Sequence, residues 1–348
     1  MSLSRIGALI RLDLTQRVRS VAWYVLLGVF AFLLLIVTVL SFFAFGSTAD
    51  RGASVYSIVV FFVLLLVVLV SPTLSGNAIN GDRDHATLAP VQVTLATTGE
   101  IVLAKFLAAW TTGLAFLVVA VPFMAVSLVG GGASGLTMLV SLIVLIVETS
   151  VVAAIGVGLS GILGRSLFSV ATTYLVVAAF VFGTLIAFGL GGLAVQSETT
   201  YSYRSYVYTD DGDIPDPPVC GAWETYEGTT PRFDHVWWAL AANPFVVLAD
   251  ATPVTLNREG YPVDMFGWIS VGVRSAQLAP RLETVWDECD RSMQQDDSLT
   301  SREILERTAP SWFVGLGIHI VVAGGLLVWG WARTRTPART LPPGTRIA

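Results

Sequence analysis

Six long apolar stretches constrain this chain more than any other feature. They lie at 21–45, 54–74, 103–129, 136–160, 168–193 and 312–332, each nearly free of charge over its middle. About 20 helical residues cross a bilayer core, and in lipid only a helix or a closed barrel satisfies its own backbone. Barrel strands alternate over about ten residues, so continuous apolar runs predict helices. With 54% hydrophobic and 13% charged residues, we expect an all-α polytopic membrane protein.

Arginine predicts the orientation of these spans. Four arginines fall in the lead 1–20 and four more in the tail 333–348. Six spans put both termini on the same side, and the positive-inside rule predicts that this side is the cytoplasm. We therefore expect a multi-pass protein of the cell membrane. The first span is longer than the apolar core of a signal peptide, so we expect it to be an uncleaved anchor.

The lead 1–20 carries an amphipathic pattern. Ile6, Leu9, Ile10 and Leu14 recur at helical spacing with arginines between them, which predicts a helix lying in the inner interface. The alternative is an unstructured basic tail that only sets topology.

Residues 194–311 have a different composition from the spans. They hold 19 acidic residues against 8 arginines, and should form a mixed α/β extracytoplasmic segment between spans five and six. The tyrosine-rich stretch 199–218 predicts one or two strands with an aromatic face, and 280–308 predicts short helices. The apolar stretch 236–250 is too short to cross, so it should be interfacial or re-entrant.

Both cysteines of the chain, Cys220 and Cys289, fall in this outer segment. An oxidising compartment permits a disulfide there. Two free buried thiols are the alternative.

Catalytic motifs are missing from the sequence. The single lysine, Lys105, has no phosphate-binding loop around it, and no zinc-protease motif, zinc-type cysteine and histidine cluster or nucleophile elbow occurs. We therefore expect no enzyme, no metal site, no cofactor bound by this chain and no nucleic-acid partner. Glu148 lies in mid-span, where it either packs against Thr149 or Ser150 or contacts a polar substrate or proton path. His319 should be an interfacial histidine.

A polar loop at 76–100 separates the second and third spans on the predicted cytoplasmic side. It carries an acidic–arginine–acidic triplet at 82–84 and then an apolar stretch. Thr98 and Glu100 suit the start of a helix, as N-cap and first-turn acid. The loop is therefore either a docking surface or a plain linker.

The order of these motifs resembles the permease subunits of ABC type-2 exporters. The matching elements are Asp82-Arg83-Asp84, Thr87-Leu88, Glu100, Ala104-Lys105 and, in the outer segment, Asn243-Pro244-Phe245. The chain departs from the family pattern in having aspartate where glutamate is usual, in having His85-Ala86 before Thr87, and in having Ala104 where the family has glycine. The six-span layout and the basic lead agree with the family as well.

The resemblance implies a transport mechanism. Two such permeases, identical or related, pair in the lipid membrane and bind two cytoplasmic ATPase subunits, which carry the ATP and magnesium. The loop 76–100 would be the coupling element, and the substrate a hydrophobic or amphipathic molecule. The residues expected to dock the ATPase are Asp82, Arg83, Asp84 and Thr87, with Leu88 as the apolar anchor.

Two other functions fit the sequence. An ion-coupled secondary transporter would need paired ionisable groups and broken helices near the midplane. A membrane sensor or scaffold would use the outer segment as a binding domain and would need no ATPase.

Overall fold

The computed structural model describes residues 2–45, 50–84, 96–128, 131, 133–208, 212–290 and 299–335. Within these ranges helices dominate, and a small sheet is inserted before the last long helix. Thr87, Leu88 and the end of the predicted tail 333–348 lie outside the described residues.

Six helices of the described chain are long and apolar enough to cross a membrane, which confirms the predicted number. They are α2 (Val21–Ala44), α3 (Arg51–Ser75) with its short continuation α4 (Asn80–Asp84), α5 (Thr98–Ser127), α6 (Gly135–Ile162), α7 (Ser166–Ala178) joined to α8 (Thr184–Ala194) by a π-helical turn (Ala179–Gly183), and α13 (Trp312–Thr334). At 1.5 Å per residue, helices of this length reach about 35–45 Å. That exceeds the hydrocarbon thickness of about 30 Å.

One further helix precedes these six. The helix α1 (Leu3–Val18) confirms the one predicted over 1–20, and it packs against α5 with Ile6 buried. The Arg17 guanidinium donates a 2.8 Å hydrogen bond to the Leu74 carbonyl at the end of α3. The lead is therefore attached to the bundle and is not a free tail.

The helix α3 forms the centre of the bundle. Its most apolar window is 67% buried, against 22% for α2 and for α13. Trp23 and Phe30 from α2 pack edge-on against Phe116 from α5, with ring centroids 5.2 and 5.1 Å apart. The outer sides of the peripheral helices stay apolar; Phe43, for example, is 83% exposed. A contiguous apolar exterior of this kind suits contact with lipid.

Glycines allow α6 and α13 to approach closely. A Cβ on Gly158 would lie 2.6 Å from the Leu326 carbonyl carbon, and a Cβ on Gly330 would lie 2.6 Å from the Gly158 carbonyl oxygen. No side chain fits at such distances. Helices in lipid associate through small residues in this way.

Residues 194–311, predicted to lie outside the membrane, are called the outer segment. The described part of this segment contains the three-stranded sheet and four short α-helices. The strands are β1 (Gln196–Arg204), β2 (Glu224–Pro231) and β3 (Glu283–Asp287), and the helices are α9 (Trp237–Ala241), α10 (Pro244–Ala251), α11 (Met265–Ser275) and α12 (Ser301–Arg307). The strand order is β2-β1-β3, with β1 antiparallel to β2 and parallel to β3. The mixed α/β character predicted for 194–311 is confirmed.

One local prediction in this segment was wrong. Residues 283–287 form a strand, where short helices were expected over 280–308; α12 confirms a helix at the end of that range. Thr284, Val285 and Trp286 are β-branched or aromatic residues, which favour strands, and they pair with β1. The segment therefore forms a strand and not a helix.

The apolar stretch 236–250 folds as two short helices that break at Asn243. The second helix, α10, is almost fully buried and packs against α6, α11 and α13. The break contacts His319 on α13 through the Ala242 carbonyl, and the fifth span through the Asn243 side chain. The stretch therefore enters the helix bundle and returns.

A disulfide joins Cys220 to Cys289, which are 69 positions apart in the sequence and have their Cα atoms 6.1 Å apart. The backbone of Cys220 forms an isolated antiparallel β-bridge with Tyr206, just after β1, and Cys289 follows β3. The predicted disulfide is confirmed, and it connects the two loops that leave the sheet.

The two ends of the bundle differ in content. The helices α1 and α4 meet the start of α5 and the turn between α6 and α7 at one end. At the other end the start of α3 meets the outer segment, where Ser54 donates to the Val263 carbonyl and Ser57 accepts from the Met265 amide.

Candidate functional site: the polar cluster below the bundle and the buried pair within it

The short helix α4 is fixed to α6 by its backbone. The amides of Ile79 and Asn80 each donate a 3.0 Å hydrogen bond to the Ser160 hydroxyl. Both residues are fully buried. The chain leaving α3 is therefore held against α6 before it enters the loop, and the triplet at 82–84 has a defined position.

Lys105 joins three elements. Its ammonium group lies 2.9 Å from Asp13 on α1 and 2.6 Å from Asp82 on α4. All three side chains are at least two-thirds buried. Arg17 on α1 interacts electrostatically with Asp13. Burial lowers the pKa of the Arg17 guanidinium, and the negative charge of Asp13 opposes that shift.

Arg83 and Asp84 join α4 to the turn between α6 and α7. Arg83 donates to the Asn80 side chain at 2.9 Å and to the carbonyls of Gly161 and Leu163 at 3.3 Å. Those carbonyls lie at the end of α6, where backbone acceptors lack helical partners. The Asp84 carboxylate accepts a hydrogen bond from the Ser166 hydroxyl. We call Asp13, Asp82, Arg83, Asp84 and Lys105 the basal cluster.

The start of α5 is held by a capping box. Thr97, one residue before the predicted cap Thr98, accepts from the Glu100 amide, and the Glu100 carboxylate accepts from the Thr97 amide at 2.8 Å. The spacing favours Thr97, because a capping box places its acid three residues after the cap. Glu100 also accepts a 2.5 Å bond from the Ser2 amide and pairs with Arg5 at 3.4 Å.

The basal cluster thus links α1, α4, α5 and the turn between α6 and α7. The three predicted docking residues Asp82, Arg83 and Asp84 all make intrachain contacts. The loop 85–95, which contains Thr87 and Leu88, lies outside the described residues. Its two flanks, α4 and the start of α5, are both anchored.

A second polar group lies in the middle of the bundle. Glu148 Oε1 is 3.0 Å from His319 Nδ1, and His319 Nε2 is 2.8 Å from the Ala242 carbonyl oxygen. Both residues are 1% exposed. Thr149 and Ser150, the partners expected for Glu148, instead donate to carbonyls of their own helix, Leu145 and Val147. The sequence pointed to each ionisable residue alone and missed the pair.

The hydrogen bonds fix the charge of this pair. A carbonyl oxygen can only accept, so Nε2 of His319 carries a proton. The hydrogen bond between His319 Nδ1 and Glu148 Oε1 then requires one further proton, which is carried either by Nδ1 or by the carboxyl oxygen. Both arrangements, imidazolium with carboxylate or imidazole with carboxylic acid, have no net charge. The pair avoids the free-energy cost of a net charge in an apolar interior.

Asn243 holds the break between α9 and α10. Its side-chain amide donates to the Val181 carbonyl at 2.7 Å and to Thr184 at 3.0 Å, while its oxygen caps α10 by accepting from the Phe245 amide at 2.9 Å. Val181 belongs to the π-helical turn between α7 and α8. The Asn-Pro-Phe stretch therefore anchors the returning segment to the fifth span.

Asp250 connects the end of α10 to α11 and α13. It accepts from Ser270 and Arg274 at 2.6 Å each, from the Ser311 amide and hydroxyl, and from the Trp312 amide at 3.1 Å. The carboxylate is fully buried. Sequence analysis missed this site; its only signal is an acid at the end of an apolar stretch.

Two cavities lie close to these polar groups. A void of about 20 Å³ beside Glu148 and His319 is lined by apolar side chains such as Phe180 and Pro244, and has room for about one water. A groove of about 700 Å³ between the start of α5 and the end of α13 is lined by apolar residues, with Thr97 and Arg335 at its polar parts. In this conformation Glu148 is enclosed. Among the described residues, no group of His, Cys, Asp and Glu could hold a metal ion.

No protein-family model matches the chain, and no curated protein is significantly similar to it. The fold is helical, with six helices suited to spanning a membrane.

Proposed function

We propose that this chain is the membrane-spanning permease subunit of an ATP-driven ABC exporter. A separate cytoplasmic ATPase would dock on the loop 76–100 and supply ATP hydrolysis. The observation that carries the proposal is the basal cluster, which attaches both flanks of that loop to α1, α5 and α6. A loop that transmits force needs such attachments, whereas a plain linker does not.

The basal cluster suggests how docking is coupled to the spans. Force applied to the loop reaches α1 through Asp13, α5 through Lys105 and the end of α6 through Arg83. Closure of the paired ATPases would then shift these helices together as a rigid body. We assign Thr87 and Leu88 to the contact with the ATPase, and Asp82, Arg83 and Asp84 to docking and to force transmission.

The proposed orientation puts the basal cluster and both termini in the cytoplasm and the outer segment outside the cell membrane. The arginine distribution supports it. The disulfide between Cys220 and Cys289 supports it as well, because disulfides persist in oxidising compartments. The apolar groove beside α5 and α13 agrees with a hydrophobic or amphipathic substrate. The partner permease is a second copy or a related chain.

Co-purification tests the proposal. The chain is expressed together with its neighbouring genes and isolated in detergent, and we expect an ATPase with a phosphate-binding loop to co-elute. The double change Asp82→Ala and Arg83→Ala should abolish co-elution. A complex that forms equally well with the double variant would count against docking at this loop.

Two matched variants separate docking from transmission. Leu88→Asp removes the proposed apolar anchor and should prevent ATPase binding. Lys105→Gln leaves the loop surface intact but breaks the contacts with Asp13 and Asp82, so the complex should form while ATP-driven transport is lost. Loss of ATPase binding in both variants would show that the cluster only maintains the fold.

The buried pair favours a second candidate, an ion-coupled secondary transporter. Such proteins place ionisable groups and broken helices near the midplane. Here Glu148 and His319 lie beside the break at Asn243. Transport into vesicles that lack ATP, driven by a proton gradient and abolished by a protonophore, would establish this alternative and exclude the ATPase-driven one.

A further inference from the structure

The three-stranded sheet has one face defined by its register. Tyr201 on β1 lies opposite Tyr226 on β2 and Thr284 on β3, and Tyr203 lies opposite Glu224 and Trp286. Residues directly opposite each other share a face, and alternate residues along a strand return to it. The six therefore form one two-by-three surface, which we call the aromatic face: Tyr226, Tyr201, Thr284, Glu224, Tyr203 and Trp286.

Three of its rings are open to solvent. Tyr226 is 56% exposed, Trp286 47% and Tyr201 43%. Aromatic side chains of this size usually bury most of their area. Large exposed aromatic residues that share one rigid surface are typical of binding sites. The opposite face of the same strands carries no aromatic ring at the corresponding positions; it is formed by Thr200, Ser202, Thr225, Glu227, Glu283 and Val285.

The aromatic face is also acidic. Glu224 lies on it and accepts a hydrogen bond from the Tyr226 hydroxyl. Glu288, just beyond β3, accepts from Tyr203; burial and then this bond raise the pKa of the Tyr203 phenol. None of the six residues is basic. The surrounding segment 194–311 adds 19 acidic residues against 8 arginines.

We propose that the aromatic face binds the arginine side chains of a basic peptide segment. The negative faces of Tyr and Trp rings attract a cation placed above them. A guanidinium group stacks on such rings and also pairs with a carboxylate through two parallel hydrogen bonds. Glu224 beside Tyr226 and Tyr203 offers both contacts at once. The inference does not depend on the transport proposal.

Binding can be measured on the full-length protein in nanodiscs of zwitterionic lipid. The probe is a fluorescein-labelled hexa-arginine peptide, followed by fluorescence anisotropy. Tyr226→Leu and Trp286→Leu keep an apolar side chain but remove the ring, and each should weaken binding by about two- to tenfold. Glu224→Gln should weaken it to a similar extent.

The opposite face provides the controls. Glu227→Gln removes one negative charge from the same strand, and it should change affinity less than twofold. Equal losses from Glu224→Gln and Glu227→Gln would mean general attraction to an acidic segment and would overturn the proposal. So would a wild-type protein that does not bind the probe. A nanodisc particle that falls from two copies of the chain to one with Tyr226→Leu would assign the face to self-association, and would overturn it as well.

Discussion

A single proton between Glu148 and His319 determines which substitutions this interior position tolerates. The pair has no net charge in either arrangement, so a neutral residue of the same shape can replace the acid. A glutamine side chain introduced there would offer its amide N–H to Nδ1, and His319 would keep its bond to the Ala242 carbonyl. An apolar replacement would leave Nδ1 without a partner and open a cavity.

We therefore expect Glu148→Gln to lower the free energy of unfolding by less than about 1 kcal/mol and Glu148→Ala by about 2–4 kcal/mol. The readout is the thermal unfolding temperature in detergent, where Glu148→Ala should fall by about 5–10 °C. If Glu148→Gln is as stable as the wild type but abolishes the transport proposed above, the ionisable carboxyl group itself is needed for that transport. That result would favour the ion-coupled candidate.

At the scale of the element, the contact between α6 and α13 depends on glycine. Gly330→Leu would force a side chain into the backbone of Gly158, and overpacking of this kind costs about 1–3 kcal/mol or more. We expect weaker packing of the last helix, measured as increased protease access to the outer segment that precedes it. Gly324→Leu on the same helix meets no atom within 4 Å, so that control should behave like the wild type.

The sheet has its own dependence on pH. Arg204 and Asp287, paired by register between β1 and β3, form an ion pair that lowers the pKa of Asp287 below its usual value. A lowered carboxyl pKa stabilises the folded state above the ordinary carboxyl pKa near 4, and the contribution is lost as pH falls through the folded value. We expect tryptophan circular dichroism of the sheet to change below about pH 4.

Asp287→Asn should remove this part of the pH dependence, since an amide does not titrate. The variant should be less stable than the wild type at pH 7, and the difference should shrink towards pH 2. A constant difference between the two proteins over that range would contradict the role given to Asp287.

Local signals explain which elements the sequence could predict. Hydropathy is a property of consecutive residues, so the six spans and α1 could be identified without any partner. The strand Glu283–Asp287 could not, because its conformation depends on pairing with β1, some 80 residues earlier in the chain. The capping box at Thr97 and Glu100 was available in the sequence, and only the choice of threonine was wrong.

At the scale of the whole molecule, the outer segment and the bundle are stabilised by different means. The six apolar helices are suited to a lipid surrounding, whereas the sheet is stabilised by strand pairing, by the disulfide and by ion pairs such as Arg204–Asp287. Cross-linking residues 69 apart is worth about 4 kcal/mol by loop entropy. Cys220→Ser together with Cys289→Ser should therefore loosen the sheet and leave the spans folded.

Hydrogen exchange followed by mass spectrometry measures this separation. Amides of β1, β2 and β3 should lose protection in the double serine variant, and amides of α3 and α6 should keep it. Loss of protection throughout the chain would mean that the sheet and the bundle fold as one unit. Contacts that join the two parts, such as those of Asp250 and Asn243, could not be predicted because each links residues far apart in sequence.

Lys105 has a practical consequence of its own. Apart from the amino terminus, its ammonium group is the one primary amine in the chain, and it is held between two carboxylates. Amine-reactive esters should therefore acylate it slowly at rest and faster whenever those two contacts separate. The native protein therefore carries its own chemical reporter: under the transport cycle proposed above, the rate of labelling would measure how often Lys105 separates from Asp13 and Asp82, without any engineered probe.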